Sequence, residues 1–191
     1  LYASPADDVV DAVCHFASSE SPGRPAADRD ARWLATVLFI DIVGSTDIAA
    51  RCGDEAWSAL LREFHATARA QLAAHRGVLV DTAGDGVFAT FDGPARAIRC
   101  AAATVLALKA LGFEIRAGLH TGEVQSDGER VSGLAVHIGA RVLAQAAPGD
   151  VLTSSTTRDL VAGSGIVFEE RGAHTLKGVP EVWYLYRAIV G

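Results

Sequence analysis

The chain has 191 residues, half of them hydrophobic and 21% charged, a composition that supplies one sizeable core with a short appendage and excludes global disorder. Its 17 basic against 23 acidic residues give a formal net charge of −6. That balance excludes nucleic-acid binding through a broad cationic surface, because backbone affinity comes from clustered cations.

Residues 1–17 read as the closing helix of a preceding domain, with Val9, Val10, Val13, Cys14 and Phe16 forming an apolar stripe over 6–18. Residues 18–32 are rich in Ser, Pro, Gly, Asp and Arg and read as a linker, and a folded domain is expected over 33–191. The start at Leu1 without an initiator Met suggests a piece of something larger. Ala35–Ile40 is an apolar run ended by Asp41, the pattern of a buried strand, and Gly44-Ser45-Thr46 then opens a helix. Asp54–His75 repeats apolar residues at helical spacing through Trp57, Leu60, Leu61, Phe64, Ala68 and Leu72. Gly77–Thr82 and Val87–Phe91 read as strands joined by Gly84-Asp85-Gly86, a strong hairpin signal. Gly93-Pro94 opens a helix through Leu111. Phe113–Leu119 is expected to be a strand, and Glu123–Val131 a hairpin around Asp127-Gly128. A helix over Leu134–Ala146, a strand over Val151–Ser154 and a short helix over Ser155–Val161 follow, with strands at Ile166–Arg171 and Val182–Ala188 closing the chain. This order implies an α+β fold in which helices cover a mainly antiparallel sheet.

The longest apolar run, Cys100–Leu108, stops at Lys109 and is too short for a membrane span, and no leader peptide is visible. Cys14, Cys52 and Cys100 are odd in number and far apart, so neither a disulfide framework nor a zinc site is expected, and a reducing, cytoplasmic setting fits.

Two aspartates stand out by position. Asp41 ends a buried strand and precedes a Gly-Ser-Thr turn, whose free N–H groups at a helix start suit a phosphate. Taken alone, the commoner role of Ser45 or Thr46 is to cap that helix. Asp85 sits in the tight turn between two strands, where an aspartate is most often simply a turn residue. If the hairpin lies beside the first strand, the two carboxylates form a hard-cation site next to a phosphate cradle.

Four segments occur in order: Phe39-Ile40-Asp41-Ile42-Val43-Gly44-Ser45-Thr46, Gly84-Asp85-Gly86, Gly118-Leu119-His120-Thr121-Gly122-Glu123 and Val136-His137-Ile138-Gly139-Ala140-Arg141. Together they resemble the class III nucleotidyl cyclase catalytic domain, particularly the actinobacterial and mycobacterial adenylyl cyclases, over about Trp33 to Ala188. The resemblance implies a ferredoxin-like cyclase fold, a head-to-tail homodimer with active sites at the subunit interface, and ATP as substrate. Two divalent cations, Mg or Mn, are implied as cofactors, with Asp41, Asp85 and the Ile42 carbonyl as their ligands. The backbone of Val43, Gly44, Ser45 and Thr46 would cradle the triphosphate, with Lys177 as a further contact. Arg141 matches the arginine that stabilises the transition state, and His137, four residues earlier on the same helical face, stands where many members carry a ribose-orienting asparagine. The segment before the domain resembles the join that follows an α/β-hydrolase-like domain.

The sequence departs from the family at the base. Adenylyl cyclases carry a lysine four residues before the second metal aspartate and an aspartate eleven before the transition-state arginine; those positions hold Asp81 and Arg130 here, with the charges exchanged. A carboxylate accepts from adenine's amine and equally from guanine's N1–H and amino group. His65, His75, His120 and His174 share no ligand spacing and read as structural, Cys52 and Cys100 as inert, and Trp33, Trp57 and Trp183 as core or interface anchors. The leading expectation is an adenylyl cyclase. A guanylyl cyclase, a nucleotide-binding regulatory module and a purely structural dimerisation domain are the competing readings.

Overall fold

The computed structural model describes residues 31–126 and 130–190. The helix expected over 6–18 and the linker up to residue 30 lie outside the described residues. Thirteen elements follow: β1 (Ala31–Ile42), α1 (Ser45–Cys52), α2 (Asp54–Ala74), β2 (Val78–Ala83), β3 (Gly86–Phe91), α3 (Pro94–Ala110), β4 (Ile115–Ser126), β5 (Val131–Ser132), α4 (Leu134–Gln145), β6 (Val151–Ser154), α5 (Ser155–Leu160), β7 (Val167–Thr175) and β8 (Val182–Ile189). The strands form one sheet in the order β2-β3-β1-β4-β6-β8-β7, with β5 paired to the end of β4. Every pairing is antiparallel except β4 with β6, as the mixed pattern of hairpins and helical crossovers implies.

β1 is central because both of its faces are covered. Leu38, Ile40 and Ile42 pack with Phe64, Ala68 and Leu72 of α2 and with Ala97, Ile98, Ala101 and Leu108 of α3. Ala35, Val37 and Phe39 face the other way, onto Ala135, Val136, Ala140 and Leu143 of α4. Burial on both sides explains why 35–40 is a continuous apolar run rather than an alternating one.

Two glycines set how closely α4 lies on the sheet. A Cβ at Gly118 of β4 would overlap the Leu143 backbone, and one at Gly139 would lie 2.5 Å from Cγ2 of Val37. A helix seated this closely has little freedom to rotate, so the residues on its outer face are fixed with it.

Three strand boundaries differ from expectation. β1 begins at Ala31, inside the expected linker, because Ala31 and Arg32 pair with Ser126 and Gln125 of β4. β4 runs unbroken from Ile115 to Ser126, joining the expected strand that ends at Leu119 to the hairpin arm expected from Glu123; the long partner β1 pairs with it throughout. The arms of the expected hairpin are the end of β4 and the short β5, through Gln125↔Ser132 and Ser126↔Val131. β7 continues past Arg171 to Thr175 by way of an irregularity at Glu170/Ala173, where Gly172 takes φ +83.

Gly118→Ala is expected to cost about 3 kcal/mol, at the upper end of overpacking penalties because the obstacle is backbone. Urea denaturation of the variant checks this, and an unchanged midpoint would show that α4 yields.

Candidate active site

The register at the end of β1 assembles the site. Asp41 stands opposite Gly86 of β3 on one side and Arg116 of β4 on the other. The β2–β3 turn is Gly84-Asp85, with Gly84 at φ +53, a left-handed conformation that suits glycine. The Ile42 N–H donates to the Asp85 carbonyl at 3.3 Å, which ties the turn to the end of β1. The hairpin therefore does lie beside the first strand, and Asp85 is close enough to bear on the charge of Asp41.

Asp41 is 3% exposed. Burial pushes its carboxyl up from the ordinary 3.8 to about 7; Arg116 opposes the rise by hydrogen bonding and charge, and Asp85 adds to it. Arg116 donates to Oδ2 of Asp41 through Nη2 at 2.8 Å and Nε at 3.2 Å. Arg116 was not among the residues expected at the site. Its signal is a lone cation inside the apolar strand Ile115-Arg116-Ala117-Gly118-Leu119, and that signal gains meaning only once the register is known.

The Gly44-Ser45-Thr46 turn opens a helix. Gly44, at φ 68, is the N-cap of α1 and no side chain caps the helix, so Ser45 and Thr46 are the first helical residues rather than caps. Their N–H groups belong to the first turn, which has no intrahelical acceptors. Val43 is a correction: its N–H donates to the Glu114 carbonyl at 2.8 Å and is not available to a phosphate. The donor set reduces to Gly44, Ser45 and Thr46.

Asp81 lies opposite Phe88, which in turn lies opposite Phe39, their rings stacked with centroids 4.5 Å apart. Asp81 and Asp41 thus share one side of the sheet. Oδ1 of Asp81 accepts from the Thr82 N–H at 2.7 Å, and burial raises its pKa. On α4, seven of the twelve residues are buried; of the other five, Leu134, His137 and Arg141 follow at helical spacing on the outward face, and Ala144 and Gln145 end the helix. Arg141 forms no hydrogen bond or ion pair with Asp41 or Asp85 among the described residues. Lys177 is exposed in the turn between β7 and β8, and Arg130 is half-buried just before β5. The structure thus brings together Asp41, Asp85, Ile42 and the Gly44–Thr46 turn; it does not join Arg141 to them within one chain.

His120 is buried, with Nδ1 2.7 Å from the Ser154 hydroxyl and its ring edge-on to Trp183 at 5.5 Å, and burial lowers its pKa to about 4. It stays neutral in the fold. His65 on α2 lies near the Asp85 turn; burial is the main cause lowering its pKa, opposed by the Gly84 backbone and the Asp85 charge.

Among the described residues no three His, Cys, Asp or Glu side chains converge, so a cation here would rest on two carboxylates and a backbone carbonyl, completed by substrate or water oxygens. That donor set fits a hard divalent ion. The burial of Asp41 beside a second carboxylate, with Arg116 alone as counter-charge, is the kind of electrostatic deficit such an ion relieves.

Residues 32–187 match the sequence model of the adenylate and guanylate cyclase catalytic domain, and the chain belongs to that family. It is 33% identical over 190 residues to an uncharacterized protein of Rhizobium meliloti (strain 1021), covering 88% of this chain and 18% of that protein. A mycobacterial relative, an uncharacterized protein of Mycobacterium tuberculosis (strain ATCC 25618 / H37Rv), is 31% identical over 150 residues, covering 76% of this chain and 52% of its own length. The chain therefore spans about half or less of these curated relatives. The fold superposes on the crystal structure of the adenylyl cyclase CyaB from P. aeruginosa with a TM-score of 0.80 at 22% identity, covering 85% of this chain and 96% of that one. Among the described residues no helix is long and apolar enough to cross a membrane.

The raised pKa of Asp41 gives a pH signature. The folded state holds this proton more tightly than the unfolded chain, so the metal-free fold loses stability as pH rises between about 4 and 7, and the loss is complete above about 7. The full effect is on the order of 4 kcal/mol. Asp41→Asn removes the titration, so in chelator its stability relative to wild type should improve by a few kcal/mol between pH 5 and 8. Urea denaturation at both pH values checks this, and a pH-independent difference would contradict it.

Proposed function

We propose that this domain is an adenylyl cyclase that converts ATP to 3′,5′-cyclic AMP and pyrophosphate. The observation that carries the reading is the Asp41–Asp85 pair, a buried carboxylate at the end of β1 and a half-buried one in the adjoining β2–β3 turn, beside the first turn of α1. Two divalent cations bound by these carboxylates and the Ile42 carbonyl would supply charge neutralisation of the triphosphate and acidification of the ribose 3′-hydroxyl. The N–H groups of Gly44, Ser45 and Thr46 would hold the triphosphate and orient the α-phosphorus for in-line attack. The 3′-oxygen forms the new bond to the α-phosphorus, the bond to the bridging oxygen breaks, pyrophosphate leaves, and the hydroxyl proton passes to solvent.

Arg141 suits the charge that builds on the α-phosphate, with His137 positioning the ribose and Lys177 the distal phosphates. Because Arg141 faces away from its own sheet, we read it as serving the acidic pair of a second copy, in a head-to-tail homodimer. We place the enzyme in the cytoplasm, where ATP is abundant and the thiols of Cys52 and Cys100 stay free.

A guanylyl cyclase is the second reading, favoured by Asp81. Its Oδ1 is occupied by Thr82, and the other oxygen offers an acceptor that suits guanine's N1–H and amino group as well as adenine's amine; Arg130 would serve as the paired donor. Incubation with Mn²⁺ and either ATP or GTP, followed by mass spectrometry of the cyclic products, separates the two readings. Absence of both products from a folded dimer would overturn them together and leave the regulatory module.

Asp85→Ala is expected to abolish turnover, and Arg141→Ala to lower kcat about 100-fold with a smaller effect on KM. Mixing Asp41→Ala with Arg141→Ala chains should restore part of the activity, because one interface of the mixed dimer keeps both groups. A rate assay on mixtures shown to exchange subunits checks this, and no recovery would place the site within one chain.

A further inference from the structure

We propose that the cavity beneath the start of α4 is a binding site for the carboxylate of a small organic acid, separate from the acidic pair at the end of β1. The cavity has a volume of about 470 Å³ and is lined by the first turn of α4 and the later half of β4, His120 and Gly122 included. That volume falls within the range of small-molecule sites. In the β1–β4 register His120 stands opposite Val37, four residues along the strands from the Asp41–Arg116 pairing.

His120 supplies the observation that points to a ligand. It is 5% exposed, its Nδ1 lies 2.7 Å from the Ser154 hydroxyl, and its Nε2 makes no hydrogen bond among the described residues. Ser154 Oγ already accepts from the Thr157 N–H, and the short contact to Nδ1 has the length of a hydroxyl donor. We therefore assign the ring hydrogen to Nε2, which makes it a donor. Gly122 is what leaves that donor reachable, since a Cβ there would stand 3.2 Å from Nε2.

The helix start supplies the other donors. The N-cap of α4 is Gly133, and no side chain caps the helix. The N–H groups of Val136 and His137 turn back to the Gly133 carbonyl at 3.1 and 3.5 Å, while those of Leu134 and Ala135 have no acceptor among the described residues. Imidazole and helix start thus both donate, and the positive end of the helix dipole favours an anion as their acceptor. The remaining lining selects an organic anion over an inorganic one. Val124 and Ile138 are apolar and buried, and Leu134 adds an exposed apolar side chain, surfaces that a hydrocarbon body covers and a phosphate leaves wet. At the mouth Arg32 pairs with Glu123 at 3.3 Å, so the entrance carries no net charge.

The test uses 4-fluorobenzoate as probe, followed by fluorine NMR on the full chain without nucleotide or metal. Saturable binding with a Kd on the order of 1 mM is expected for a ligand of this size. The uncharged 4-fluorobenzamide should bind roughly 10-fold more weakly, and excess inorganic phosphate should not displace the probe. His120→Phe, which keeps a ring beside Trp183, and Leu134→Glu, which sets a negative charge at the cavity wall, should each weaken binding roughly 10-fold. Leu134 is exposed at a helix start where an acid is favourable, so if His120→Phe does not fold, Leu134→Glu decides alone. Absence of saturable binding to wild type overturns the proposal. Wild-type affinity in Leu134→Glu places the probe elsewhere and overturns it as well. Wild-type affinity in a folded His120→Phe removes the imidazole from the site and overturns the assignment as stated. Equal binding of the amide overturns the carboxylate, and displacement by phosphate overturns the organic acid.

Discussion

The carboxylate of Asp41 is the constraint around which this end of the molecule is organised. It is buried at the end of a strand whose residues 35–42 are all buried, next to a second carboxylate, with one guanidinium to offset it. Burying a charge costs several kcal/mol even after relaxation. The surrounding geometry is arranged to keep the acid in place. The Ile42 N–H reaches the Asp85 carbonyl, the Val43 N–H reaches Glu114, and Arg116 grips Oδ2. A strand holds Asp41 and a two-residue turn between paired strands holds Asp85, which favours a site that must present oxygen atoms to within tenths of an ångström.

The sheet divides its labour between its faces. α2 and α3 cover one side with the larger core. The other side carries α4 against β1 and β4, and on the same side Asp81, Asp41 and the stacked Phe39–Phe88 pair lie toward β2 and β3. The polar groups with chemical potential thus gather on the face that a single helix covers in part, while the face that supplies most of the stability carries none of them.

Most of the fold was legible because its elements announce themselves locally. The apolar run into Asp41, the Gly84-Asp85-Gly86 turn and the Gly93-Pro94 helix start each rest on short-range chemistry, and each lies within a residue or two of its expected place. The misreadings share one physical origin. Residues 120–122 look like a gap between a strand and a hairpin, and 31–32 like linker, until β1 and β4 are seen to pair over twelve residues each, since long-range pairing overrides local signals. The site divides the same way. The two aspartates and the glycine-led turn follow from the sequence, whereas the loss of Val43 as a donor and the gain of Arg116 depend on which backbone lies opposite, and no local pattern encodes that.

The position of α4 bears most directly on the assembly we propose. Gly118 and Gly139 let the helix backbone press against the sheet, and Ala135, Val136, Ala140 and Leu143 are committed to the core beneath it. On its other flank, Ile138 and Val142 pack with Leu152, Leu176 and Leu185. A helix gripped on both flanks cannot turn by the half-rotation needed to bring Arg141 over its own strand ends, because doing so would expose seven buried residues. Side-chain length does not remedy this, since Arg141 is already half-buried on the outer face. The packing that makes the domain stable therefore also fixes which way its arginine points, and a role for Arg141 at the phosphate requires that a second copy bring its own acidic pair to meet it.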